Sequence, residues 1–106
     1  MTGVRVDKWL WFARFAKTRS LAARLCNEGG VSLAGVPVLK PGHPLHVGDR
    51  LAIRQGRALR RVVVLALGER RGPAPEARLL YDEVEPPLVL AEAERALWQP
   101  LIDDEA

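Results

Sequence analysis

Gly29-Gly30 is the feature that most limits what this chain can become. Before it, apolar residues recur at helical spacing; after it, they alternate in the manner of strands. Paired glycines stop a helix, because glycine readily enters the left-handed conformation found at helix C-termini. The chain therefore reads as helices first and a sheet second, an α+β arrangement with two short N-terminal helices packed on a small, mostly antiparallel sheet.

Upstream of the glycines, Asp7 is expected to cap a helix running to about Ala16, with Val6 and Trp11 placed for a hydrophobic staple. Lys17-Thr18-Arg19-Ser20 breaks that helix, and Thr18 or Ser20 can cap a second one from Arg19 to Glu28. Leu21 and Leu25 are spaced to face the core beside Ala22, leaving Ser20, Arg24 and Asn27 as a polar strip. Downstream, residues 31–33 and 36–38 read as a hairpin around Ala34-Gly35, where a type I′ turn would favour Asn, Asp or Gly at the first position. Strands are expected over 50–54 and 60–67, a short helix over 75–83, and, beyond Pro86-Pro87, an acidic helix over 88–98. That last helix is expected to lay Leu90, Leu97 and Trp98 on the sheet.

Charge narrows the class of partner. Residues 1–71 carry 14 Lys and Arg against four carboxylates, a net +10, whereas residues 72–106 are net −7. A block so basic attracts polyanions, of which nucleic acid is the commonest. No membrane partner is expected, since no run of about 20 apolar residues occurs and the N-terminus lacks a signal-peptide pattern. The single cysteine, Cys26, fits a reducing cytoplasm and is expected to fill a small buried space. With 106 residues, one domain is expected, and an α/β barrel of about 250 residues is not.

Enzyme signatures are nearly absent. The histidines, His43 and His46, stand in a Pro/Gly-rich loop without the roughly four ligands that a zinc site wants. No catalytic residue, metal ligand or cofactor is therefore assigned. Trp9, Trp11, Phe12 and Phe15 crowd one helix, more than a single apolar stripe can cover, so either Trp9 or Trp11 is expected to be partly exposed and open to base stacking, or else covered by the acidic C-terminal helix.

The order of these elements resembles the small RNA-binding domain named after ribosomal protein S-four, or alpha-L motif. The resemblance is carried by Arg5-Val6-Asp7-Lys8, Thr18-Arg19-Ser20-Leu21-Ala22, Glu28-Gly29-Gly30-Val31, Gly35-Val36-Pro37-Val38, Lys40-Pro41 and Val47-Gly48-Asp49. More narrowly, Asp7-Lys8-Trp9-Leu10-Trp11, Ala13-Arg14-Phe15, Lys17-Thr18-Arg19 and Arg70-Arg71-Gly72-Pro73-Ala74 resemble the fifteen-kilodalton ribosome-associated heat-shock proteins of bacteria. The likeness spans residues 4 to about 83. It implies an RNA-binding domain over 4–71 and an acidic, partly helical extension over 72–106.

It further implies a protein that binds ribosomal RNA on free large subunits; from its residues the chain is expected to be non-catalytic, cytoplasmic and monomeric. Such subunits still carry a nascent chain on transfer RNA, and the family recycles them after heat stress. Carried over, the RNA contacts would be Arg5, Lys8, Arg14, Lys17, Thr18, Arg19, Ser20 and Arg24, with Lys40 at the rim. Two departures stand out: the chain ends Asp103-Asp104-Glu105 where those proteins end in a basic tail, and Ala34 replaces the usual Asn. The alternatives are another structured RNA, DNA, or a protein partner meeting the exposed aromatics and the acidic helix. An RNA-modifying enzyme is not expected, because little chain remains to hold a catalytic core.

Overall fold

The computed structural model describes residues 3–84 and 88–89. Its first helix begins without a side-chain cap. α1 (Val6–Phe12) follows a two-residue strand, β1 (Val4–Arg5), and Arg5 holds the capping position without a side-chain hydrogen bond to the free amides of the first turn. Asp7 lies inside the first turn, so the expected Asp7 cap does not form, and helical Val6 has no place in a staple with Trp11. The first amides find backbone partners instead: Val6 N donates to His43 O at 2.9 Å and Asp7 N to Pro41 O at 3.1 Å. The same loop leads into β4 (Pro44–Leu45), which pairs with β1.

α1 stops at Phe12, short of Ala16, because the chain reverses at Arg14, whose φ is 66°. The reversal carries Phe15 off the helix and back over Trp9, the ring centroids 6.0 Å apart. α2 (Arg19–Asn27) is capped by Thr18, whose Oγ1 accepts from Leu21 N at 3.0 Å. Its end is fixed by Gly29 at φ 79° and by Gly30, where a Cβ would run into the Leu25 side chain. The buried line of α2 is Ala22 and Cys26, with Leu25 partly covered. Leu21, one residue round the helix from Ala22, is 45% exposed and does not face the core as expected.

The main sheet runs in the order β3 (Val36–Pro37), β2 (Val31–Leu33), β5 (Arg50–Gln55), β6 (Ala58–Val64) and β7 (Tyr81–Glu83). A further two-residue strand, β8 (Leu88–Val89), also pairs with β6, and every pairing is antiparallel. Leu51, Ile53, Val62 and Val64 point from β5 and β6 into a core shared with Val6, Trp9 and Leu10 of α1. Residues 75–83 are not one helix: α3 (Ala74–Ala77) passes into a 3-10 turn over Arg78–Leu80, then into β7. The open edge of β6 explains the change, since it pairs Val62 with Glu83 and Val64 with Tyr81. Arg60 reinforces it with a fork to Glu83 at 3.0 and 2.6 Å. The same edge takes Leu88 and Val89 as strand, against the helix expected from Leu88 to Trp98, whose remaining residues lie outside those described.

Ala34 and Gly35 turn the β2–β3 hairpin with φ values of 51° and 86°, the left-handed pair that a type I′ turn requires. Alanine is strained there, at about 1 kcal/mol or more. Ala34→Asn, whose side chain tolerates this conformation, is expected to raise stability by roughly 0.5–1 kcal/mol and Tm by about 3–6 °C in a thermal melt.

Candidate nucleic-acid interface

One carboxylate organises the basic end of the molecule. Asp7 is 3% exposed, and Arg5 grips it with a fork, Nε to Oδ1 and Nη2 to Oδ2, both at 3.0 Å. Arg19 Nη2 stands 3.7 Å from the same Oδ2. Asp7 thereby ties β1, α1 and the first residue of α2 to one point. Burial alone would raise its pKa. The Arg5 hydrogen bonds, the charges of Arg5 and Arg19 and a bond from the Lys8 amide outweigh that and hold the carboxyl below its usual value. The return effect on Arg5 is to raise its guanidinium, chiefly through the hydrogen bond to Asp7.

Around this clamp, Lys17, Thr18, Arg19, Ser20 and Arg24 are all exposed along the start and outer side of α2. Arg24 also pairs with Glu28 at 2.9 Å, one turn further on. Exposed Lys40 opens the loop whose Pro41 and His43 carbonyls receive the α1 amides, and a Cβ on Gly42 would lie 3.6 Å from the Arg5 guanidinium. Seven of the nine expected contacts, Arg5, Lys17, Thr18, Arg19, Ser20, Arg24 and Lys40, are thus exposed on or beside the elements that Asp7 joins.

Two are drawn elsewhere. The Lys8 ammonium lies 5.6 Å over the Phe12 ring, and Arg14 Nε donates to Gly72 O at 2.8 Å. Of the tryptophans proposed for stacking, Trp9 is fully buried and its indole N–H donates to Ala66 O at 2.9 Å, so it presents no face to a base. Trp11 is the half-exposed one, and Arg71 covers part of it, 5.9 Å over the ring with Nε donating to Trp11 O at 3.1 Å. Sequence reasoning missed both the clamp role of Asp7 and the Arg71–Trp11 contact. For Asp7 a signal existed, since a carboxylate between Arg5 and Lys8 is conspicuous in so basic a segment.

Cys26 is fully buried, and burial, followed by the nearby Asp7 charge, pushes its thiol up to about 11. It stays protonated at neutral pH and is a poor nucleophile. His43 and His46 are both exposed, as loop residues are expected to be.

Asp7→Asn is expected to lower stability at neutral pH by about 1.5–3 kcal/mol, the usual worth of hydrogen bonds to a charged group. Because Asp7 titrates lower when folded, its contribution is complete above the unfolded carboxyl pKa of about 3.9 and fades as pH falls through the folded value. Denaturant melts of the two proteins should therefore differ fully at pH 7 and converge in acid.

The S4 domain model matches residues 4–51. Heat shock protein 15 of Escherichia coli is 48% identical over 80 residues, covering 76% of this chain and 59% of that protein. This chain thus spans about three fifths of that relative's length. A protein of Halalkalibacterium halodurans, the RQC P-site tRNA stabilizing factor, is 35% identical over 79 residues, covering 74% of this chain and 88% of its own. The solved trimeric structure of Vibrio cholerae heat shock protein 15 superposes with a TM-score of 0.73 at 33% identity, covering 94% of this chain and 92% of that one. With an S4 domain at its basic end, an α+β fold shared with a solved relative and near half its matched residues identical to another, this chain belongs to the heat shock protein 15 family.

Proposed function

We propose that this protein binds structured RNA through the α2 face and the Asp7 clamp beside it, without catalysing a reaction on it. The observation that carries this is the clamp itself. A single buried carboxylate fixes Arg5 and Arg19 while Lys17, Thr18, Ser20 and Arg24 stay exposed around them. Fixing cations in advance reduces the entropy lost when phosphates arrive. Hydroxyls at Thr18 and Ser20 add donors suited to phosphate or ribose oxygens. A protonated, buried Cys26 fits a binding role rather than a nucleophilic one.

The finer reading is that the RNA is ribosomal RNA on the free large subunit, and that the protein acts in the cytoplasm on stalled subunits after heat stress. Supporting it are the heat-shock name of the Escherichia coli relative and the P-site transfer RNA named in the other. The described residues contain no helix long and apolar enough to cross a membrane.

Neutralising about five phosphates gives a log–log salt slope of about −3.5 to −4.5 in filter binding to structured ribosomal RNA. Lys17→Ala and Arg19→Ala should each weaken binding severalfold, with Lys17→Ala leaving Tm nearly unchanged. A slope near zero, or wild-type affinity in both variants, would overturn the reading.

A further inference from the structure

Beyond the clamp, at the other end of α1, lies a cleft of about 250 Å³ lined by Ala13, Arg14, Phe15, Arg60, Ala74, Ala77, Arg78 and Tyr81. Three arginines from distant parts of the chain meet there, and none of the described lining residues is acidic. The three play different parts. Arg60 is only 24% exposed; it forks onto Glu83, reaches Gln55 Oε1 at 3.2 Å and lies 5.0 Å over the Phe15 ring, so it holds the wall.

Arg14 and Arg78 are the exposed pair. Among the described residues, Arg14 is one of two non-glycine residues with positive φ; the other, Ala34, sits in a hairpin turn that demands it. Arg14 takes it as the residue that ends α1, where Phe15 N donates to Leu10 O at 2.9 Å and Arg14 N to Trp11 O at 3.2 Å in a left-handed helix cap. The cap sets the Arg14 side chain at the cleft, where its Nε donates to Gly72 O at 2.8 Å and anchors it. The Arg78 guanidinium has no hydrogen bond or ion pair among the described residues.

We propose that Arg14 and Arg78, with Tyr81 on the wall, form a phosphate-binding cleft distinct from the α2 face. The cleft is smaller than the roughly 300–1,000 Å³ of small-molecule sites, which suits a single phosphate group rather than a whole nucleotide. Paired forks match the oxygens of such a group. It lies one helix length from the Asp7 clamp, about 10 Å along the seven residues of α1. Two anion sites at that spacing would hold two phosphates of one RNA and fix its direction across α1. The RNA reading enters only through the source of the phosphate.

The test uses the full chain with two probes, inorganic phosphate and structured ribosomal RNA. Phosphate should shift the arginine Nε–H resonances of Arg14 and Arg78 in an NMR titration, and Arg78→Ala should abolish the shift at Arg14. In filter binding, Arg78→Ala should flatten the salt slope by about 0.7–0.9, the loss of one phosphate contact, with Tm unchanged. Arg14→Asn, which tolerates the left-handed backbone, should do the same. A phosphate response lost in Arg78→Ala with an unaltered RNA slope would keep the site and make free phosphate its ligand. Variants that match wild type with both probes would overturn the cleft. Absence of salt-dependent RNA binding by the unaltered chain would count against the RNA function, and the phosphate arm would still decide the cleft.

Discussion

The basic half of this protein depends on one buried negative charge. Arg5 and Arg19 lie on separate elements within a segment of net +10, and without an acid between them their approach would be repulsive. Asp7 turns that repulsion into a three-way contact among β1, α1 and α2. Taking a carboxylate out of water is costly, and the Arg5 fork together with the Arg19 charge offsets that cost. A cationic surface assembled this way is set before any partner arrives.

The backbone makes room for the clamp. Had Asp7 capped α1, its oxygens would have been engaged by amides of the first turn. The 41–43 loop accepts those amides instead, and β1–β4 pairing holds the loop in place. At the other end of α1, the left-handed Arg14 ends the helix early and sends Phe15 back against Trp9 and Tyr81. Early termination thus does two things: it closes the aromatic core over the sheet and leaves the Arg14 side chain anchored at Gly72.

Much of this was legible in the residues. Gly29-Gly30, the Thr18 cap, the Ala34-Gly35 hairpin and the central strands all rest on local rules of backbone conformation and periodicity, and the structure follows them, except that the strand expected over 60–67 runs from Ala58 to Val64. The misses share a cause, namely partners distant in sequence. Nothing local says that Asp7 will meet Arg19, that Ala66 will satisfy Trp9 and so leave Trp11 as the half-exposed indole, or that β6 will recruit residues 81–83 into a strand. Leu21 was misplaced for a related reason: Ala22 and Cys26 set the buried line of α2, and a small residue beside a leucine gives little warning that it is the one facing inward. At the interface, the sequence indicated which residues are basic, whereas the fold separates those grouped near Asp7 from Lys8 and Arg14.

We propose that the Asp7-organised face grips RNA of the large ribosomal subunit. Sucrose-gradient sedimentation of the full chain with purified large and small subunits, at low and high salt, tests it most directly. Co-migration with the large subunit at low salt, lost as salt rises, is the expected result. Absence of the protein from the large-subunit fraction at low salt, or retention there regardless of salt, would contradict it.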